Sequence, residues 1–187
     1  MNKKETEVII QRIEKWYGRL PGLFIYDQKK FQSRFGWSKN ATKFDDRMSL
    51  DYKPINEGDP WGQKWESAWF HLKGDVPKEW AGKTIAANLD FSGEGLVYDK
   101  SGKVLQGITN ASIWDPNFAR TRVTLFETSN GDEHIELWVE AAANSLFGVF
   151  TDTDPEEDSP KRHGWFDAKV ETMRFGIFDV DLWHLYL

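Results

Sequence analysis

Hydrophobic residues recur at helical spacing over the first 20 residues of the chain. Apolar side chains such as Val8, Ile13 and Leu20 are separated by charged ones, a spacing typical of an amphipathic helix. Pro21-Gly22 predicts the end of that helix. A basic helix with aromatic residues can contact a membrane or a calmodulin-like partner, but here acidic residues are mixed with the lysines. We therefore predict a helix over residues 3–20 that packs on its own domain.

From Trp65 onward the hydrophobic pattern shortens to runs of strand length. In the run TIAANLDF, Ile85, Ala87 and Leu89 alternate with more polar positions, and HIELWVE alternates in the same way around Trp138. Such period-two patterns describe sheets with one face in a core and one face in water. The predicted strand runs are RMSLDYKP, WESAWFHLKGDVP, TIAANLDFS, GLVYD, KVLQGI, RTRVTLF, HIELWVEAAA and two more within FDAKVETMRFGIFDVDLWHLYL.

These elements together predict the fold class. Turn residues such as Lys100-Ser101-Gly102 and Asn130-Gly131 separate the runs, and no helical pattern lies between them, which argues against a parallel βαβ arrangement. The prediction is a mainly β protein, an antiparallel β-sandwich of jelly-roll type led by an N-terminal helix. Residues 1–22 form the helix and residues 23–187 form the sandwich, as one structural domain.

The glycine-rich stretch of residues 90–110 could also be interpreted as a phosphate-binding loop. That loop requires glycines directly after a strand and at the start of a helix. Here Gly93-Glu94-Gly95 leads into another strand-like run, and position 98 is Tyr98 where a third glycine would be needed. The glycines are therefore predicted to form hairpin turns.

Composition narrows the possible partners and compartment. The formal net charge of −6 and the pI near 5.3 disfavour nucleic acids and anionic membranes. No apolar run approaches the ~18 residues of a membrane span, and the N-terminus lacks the apolar core of a signal peptide. Cysteine is absent, which excludes disulfides, cysteine zinc sites and thiol catalysis and favours a cytoplasmic protein.

The residues alone give few signs of a metal site or of a catalytic site. The four histidines are isolated in sequence, and the acidic loop 151–164 has Glu157 where a calcium loop requires glycine. No Gly-x-Ser-x-Gly motif occurs, although 30 acidic residues leave a glycosidase-like carboxylate pair possible. The 10 tryptophans fit either an aromatic sandwich core or platforms that stack on sugar rings.

The order of the motifs is more specific. The stretches SAWFHLKGDVPKEWAGKTIAANLDFSGEGLVYDKSGKVLQGIT and IELWVEAAANSLFG, with Pro60-Trp61-Gly62 upstream, resemble the N-terminal domain of α-mannosidases of glycoside hydrolase family 38, most closely the cytosolic and vacuolar type. Val76-Pro77, the Trp80-x-Gly82-Lys83 turn and the Gly93–Tyr98 hairpin carry the similarity, which extends from about residue 8 to residue 187. Two segments depart from the family pattern, the tail of AAANSLFGVF and the acidic loop.

The resemblance implies a galactose-binding-like jelly roll in a retaining α-mannosidase. The family's divalent metal, usually zinc, and its aspartate nucleophile lie in a catalytic domain that would follow residue 187. No catalytic, cofactor or metal residue is therefore carried over to this chain. The implied role is a non-catalytic accessory domain that packs on the catalytic domain of the same polypeptide and supports assembly of a homo-oligomeric enzyme.

Two other functions stay open at this point. A carbohydrate-binding module would use outward-pointing tryptophans on a mannose-containing oligosaccharide, and a free-standing domain would instead bind a protein. The same surface could cover the catalytic domain. A hydrolase in its own right rests only on the number of carboxylates. The candidate contact residues for sugar or catalytic domain are Asn110, Trp114, Asp115, Asn117 and Trp138.

Overall fold

The computed structural model describes residues 3–63, 65–109, 119–143 and 168–187. Its α-helices are α1 (Lys3–Tyr17) and α2 (Val180–Tyr186), and short 3-10 helices span Leu20–Leu23, Phe44–Ser49 and Lys78–Trp80. The strands are β1 (Ile25–Lys30), β2 (Gln32–Ser38), β3 (Tyr52–Pro54), β4 (Ser67–Asp75), β5 (Ile85–Asp90), β6 (Glu94–Asp99), β7 (Val104–Thr109), β8 (Arg122–Phe126), β9 (His134–Ala142) and β10 (Thr172–Phe178).

The described strands form two sheets. One has four strands in the order β1-β10-β5-β8, and the other has six in the order β3-β2-β4-β9-β6-β7. Every pairing between these strands is antiparallel. The predicted antiparallel β-sandwich with an N-terminal helix is confirmed.

The main core lies between the two sheets. Along β5, Ile85, Ala87 and Leu89 are all buried in it, as the alternation predicts. The inward faces meet through aromatic rings: the centroids of Phe70 and Phe91 are 4.3 Å apart. At one end Trp61 donates from its indole N–H to the carbonyl oxygen of Phe91 at 2.9 Å, so this buried polar group is satisfied.

A loop covers the outer face of the six-stranded sheet. Residues 42–52, the cover segment, run across the outward side chains of that sheet. The ring of Phe44 lies 5.7 Å from that of Trp69 and 5.1 Å from that of Tyr98, between centroids. The indole N–H of Trp69 donates to the carbonyl oxygen of Thr42 at 2.8 Å. This sheet face therefore carries a second aromatic layer, which strand alternation alone does not predict.

The outer face of the four-stranded sheet packs against the end of the chain. Phe24, Ile25, Ala86 and Phe178 form a small buried cluster there, with side chains of α2 packed on it. The last predicted strand is wrong, because residues 180–186 form α2 instead. The carboxylate of Asp179 accepts from the backbone N–H of Leu182 at 2.9 Å, a helix N-cap that sets where α2 begins.

The position of α1 corrects a second expectation. We predicted that this helix packs on its own domain, yet α1 buries none of its side chains among the described residues. Near its C-terminal end, Tyr17 stacks on Tyr186 at 4.5 Å between centroids.

The glycine-rich stretch forms a hairpin, as predicted. Gly95 lies in β6 and Gly107 in β7, and these two strands pair antiparallel. At the turn, Gly102 has a φ of +90°, a conformation that glycine adopts without steric cost. The Asp99 carboxylate accepts from the backbone N–H groups of Ser101 and Lys103 at 2.8 and 3.1 Å, which fixes the turn.

Two glycines with positive φ should differ in how much stability the protein loses when each is replaced by alanine. Gly58 has a φ of +95° and its added Cβ would meet no atom within 4 Å, whereas at Gly131, with a φ of +82°, the Cβ would lie 2.7 Å from the carbonyl oxygen of Lys78. We expect Gly58→Ala to lower the free energy of unfolding by about 1–2 kcal/mol through backbone strain alone. Gly131→Ala should cost about 3 kcal/mol because overpacking adds to that strain. Urea unfolding measures both, and equal losses would contradict the crowding at Gly131.

Candidate functional site

Trp138 lies on the outer face of the six-stranded sheet but is not exposed. Its neighbours Leu137 and Val139 point into the core, as the alternation predicts. The indole itself is only 4% exposed. His71 stacks on it at 3.8 Å between centroids with an interplanar angle of 6°, and the Arg47 guanidinium carbon lies 4.4 Å from the ring centroid. The interpretation of Trp138 as an exposed platform is wrong, because the cover segment and His71 occupy its ring.

The stacked histidine belongs to a charged group on the same sheet face. Its Nε2 lies 2.7 Å from Oε1 of Glu136, and the Lys73 ammonium is 3.6 Å from the same oxygen. Burial lowers the pKa of His71 more than Glu136 raises it, and the hydrogen bond from His71 lowers the pKa of Glu136. At neutral pH a neutral His71 therefore donates its Nε2–H to the carboxylate, because a carboxylate can only accept. The arrangement is that of a structural pair.

Removing the Arg47 guanidinium should destabilise the cover segment. Its central carbon lies 3.5 Å from the centroid of Phe44 as well as over Trp138. We expect Arg47→Ala to lower the free energy of unfolding by about 2 kcal/mol, the size of a largely desolvated cation–π contact. Arg19→Ala is the matched control, since Arg19 lies 5.8 Å from the exposed ring of Trp16, and should cost under about 0.5 kcal/mol. Urea unfolding compares the two, and an equal loss would refute the assigned role of Arg47.

The other predicted contact residues lie outside the described residues. These are Asn110, Trp114, Asp115 and Asn117, and the acidic loop 151–164 lies outside them as well. The residues on either side of the first group are described. Thr109 and Arg120 exchange two backbone hydrogen bonds, of 3.1 and 2.8 Å. The prediction for these four residues stays a prediction.

Two exposed tryptophans that the sequence did not single out lie near the ends of β2 and β4. Trp37 is 49% exposed, and its indole N–H donates to Oε2 of Glu66 at 2.8 Å. Trp65, next to that glutamate, is also half exposed and has a φ of +71°, which is unusual for a bulky residue. Trp37 was missed because β2 was not predicted as a strand. We call the hydrogen-bonded Trp37 and Glu66, together with the adjoining Trp65, the aromatic corner.

The largest group of exposed apolar side chains is at the two ends of the chain. Ile13 and Trp16 of α1 are 62% and 63% exposed, and Leu187, after α2, is 81% exposed. We call this group the terminal apolar surface; it comprises Ile9, Ile10, Ile13, Trp16, Tyr17, Leu185 and Leu187. The Tyr17–Tyr186 stack joins its two parts. The helical spacing that predicted α1 also identified most of these residues, but assigned them to an internal contact.

Titratable groups in the described residues form no evident reactive centre. No group of three His, Asp or Glu side chains among the described residues could hold a metal ion. Burial raises the pKa of Asp90 and of Glu140. Both carboxyl groups are held by local contacts, the first to the backbone N–H of Ser92 at 2.8 Å and the second to the Tyr98 hydroxyl at 3.5 Å.

No described helix is long and apolar enough to cross a membrane.

Comparison with known proteins places this sandwich in a family. The family model described as "Alpha-mannosidase, jelly roll domain" matches residues 31–169. Alpha-mannosidase G of Dictyostelium discoideum is 30% identical over 160 residues, which cover 80% of this chain and 14% of that protein. Alpha-mannosidase 2C1 of Homo sapiens is 27% identical over 108 residues, covering 57% of this chain and 10% of that protein. The matches thus occupy a small part of these relatives.

A solved structure gives a weaker match. The β-glucuronidase of Faecalibacterium prausnitzii superposes with a TM-score of 0.49 at 13% identity, over 81% of this chain and 31% of that chain. This similarity is too low to bear on the fold or the function. The family match, together with the two antiparallel sheets, confirms the jelly-roll prediction. The chain belongs to the α-mannosidase jelly roll domain family.

Proposed function

We propose that this chain is the non-catalytic N-terminal accessory domain of an α-mannosidase of glycoside hydrolase family 38. One observation carries the proposal: the family match spans residues 31–169, yet the aligned part is only 14% of the length of the Dictyostelium relative. A segment of that proportion is the size of one domain of a larger enzyme.

In this proposal the domain acts by packing. It would lie against the catalytic domain that follows residue 187 and support assembly of a homo-oligomeric, cytoplasmic enzyme. Zinc or another divalent metal, and the retaining hydrolysis of α-mannosides, would belong to that catalytic domain. Four candidate contact residues lie outside the described residues and would contact either the catalytic domain or the sugar: Asn110, Trp114, Asp115 and Asn117.

The natural gene tests the proposal. We expect its reading frame to continue past codon 187 into a domain with a His-x-His-type metal motif. The encoded polypeptide should hydrolyse a chromogenic α-mannoside and lose that activity on chelation. A stop codon after Leu187 would overturn the proposal and leave a free-standing domain that binds a protein or a sugar.

The aromatic corner favours a second candidate, a carbohydrate-binding module. Indole faces stack on pyranose rings, and a neighbouring carboxylate accepts hydrogen bonds from hydroxyl groups. Trp37, Trp65 and Glu66 supply both. Titration with mannose and α-mannobiose should then give weak binding that Trp37→Ala or Trp114→Ala removes. Absence of binding at millimolar sugar would eliminate this candidate.

A further inference from the structure

The terminal apolar surface has the form of a docking face. On a helical wheel with 100° per residue, Ile9, Ile13 and Trp16 fall within about 60° of arc. Ile10 and Tyr17 widen the stripe to about 120°, a width typical of a helix face buried in a globular protein. Lys4, Gln11 and Lys15 lie on the opposite side of the helix. This is the pattern of a helix with one buried face, although that face is exposed in this chain.

A helix of this length needs packing to be stable. α1 has 15 residues and buries none of them among the described residues, and isolated helices of about 12–15 residues are marginal in water. Most helix stability in proteins comes from burial of an amphipathic face. A large exposed apolar patch on a soluble domain marks an interaction site. We therefore expect the apolar face of α1 to be buried against a permanently bound partner.

The C-terminus of the described chain lies beside this helix. Tyr17 near the end of α1 stacks on Tyr186 of α2, and its hydroxyl donates to the carbonyl oxygen of Tyr186 at 3.2 Å. Tyr186 also contacts Phe24 of the small cluster at 5.1 Å between centroids. These contacts fix the C-terminal end of α1 next to Leu187. A polypeptide that continues after Leu187 would leave the domain directly at the terminal apolar surface.

We propose that the terminal apolar surface docks on the catalytic part of the same mannosidase polypeptide, with the stripe of α1 inserted against it. This inference rests on the proposed function and deepens it, because it names the face that makes the contact. The sandwich would then be attached at two adjacent points, the covalent link after α2 and the apolar contact through α1. A second copy of the chain is the competing occupant, and hydrogen exchange combined with light scattering separates the two.

Hydrogen exchange of α1 tests the inference. The amides of α1 are compared between the 187-residue chain and the longer polypeptide encoded by the natural gene. We expect at least about tenfold slower exchange of α1 in the longer polypeptide, because local opening must first break the docking contact. Ile13→Glu should abolish that slowing, whereas Gln11→Glu, which places the same charge on the opposite face, should preserve it.

The outcomes distinguish this inference from the proposed function. If the longer polypeptide hydrolyses α-mannosides but α1 exchanges as fast as in the 187-residue chain, the docking inference fails and the proposed function stands. If the gene encodes no mannosidase domain, both fail.

Light scattering of the 187-residue chain tests whether a second copy of the chain occupies the terminal apolar surface instead. A concentration-dependent dimer that Ile13→Glu dissociates, with α1 protected equally in both proteins, would overturn docking in favour of a second copy.

Discussion

Replacing Phe70 with alanine is expected to lower the free energy of unfolding by about 3–5 kcal/mol, the largest loss predicted for this chain. Phe70 is fully buried on β4. Its ring lies 4.3 Å from that of Phe91, 5.6 Å from Trp61 and 6.0 Å from Phe35, between centroids. Truncation removes the buried ring and leaves a cavity whose walls are other rigid rings, which cannot collapse to fill it.

Urea unfolding followed by circular dichroism measures this loss. Met48→Ala provides the control, because Met48 is an exposed apolar residue of the cover segment, and the change should stay within about 0.5 kcal/mol. A loss of less than about 1 kcal/mol for Phe70→Ala would mean that the aromatic core between the sheets is not packed as described.

Replacing Glu57 with glutamine should produce a loss that depends on pH. Both carboxylate oxygens of Glu57 accept from the Arg174 guanidinium at 2.7 Å, and the Lys30 ammonium is 3.0 Å from Oε2. The hydrogen bond from Arg174 is the main cause that lowers the pKa of Glu57 to about 2. A shift of that size corresponds to about 3 kcal/mol. We expect Glu57→Gln to cost about 2 kcal/mol at pH 7, since the amide keeps part of the hydrogen bonding.

The sign of the pH effect follows from the lowered pKa. The folded chain holds the Glu57 carboxylate ionised to a lower pH than the unfolded chain does, so this stabilisation is complete above about pH 5. It is lost as the pH falls from there towards 2, and the difference between wild type and Glu57→Gln should shrink over that range. Glu171→Gln is the control, because Glu171 pairs with Lys169 at 3.1 Å where both are half exposed, and should change stability by under about 0.5 kcal/mol. A difference for Glu57→Gln that is the same at pH 3 and pH 7 would refute the ion-pair account.

The sequence predicted those strands whose buried faces alternate regularly. β4, β5 and β9 were predicted close to their observed bounds because each places a full row of apolar side chains in the core. β1 was missed because Ile25 is its only buried residue, so an edge strand of this kind has no period-two signal. α2 was predicted as a strand because its short apolar run fits either period; the N-cap at Asp179 decides for the helix.

The candidate site shows where periodicity stops being informative. Alternation correctly placed Trp138 on the outer face of its sheet, but only the tertiary path of the cover segment explains why that residue is buried. In the same way, helical spacing identified the apolar stripe of α1 but could not show what the stripe contacts. Strand and helix periods report which face of an element is apolar. They do not report which part of a chain, or which other protein, covers that face.

The most direct test of the central claim is to assay α-mannoside hydrolysis by the purified 187-residue chain and by the full polypeptide that its gene encodes. Both are measured with zinc and after chelation. We predict no turnover by the 187-residue chain under either condition and chelator-sensitive turnover by the full polypeptide. Zinc-dependent hydrolysis by the 187-residue chain itself would contradict the account, because the domain would then carry the chemistry that we assign to the rest of the enzyme.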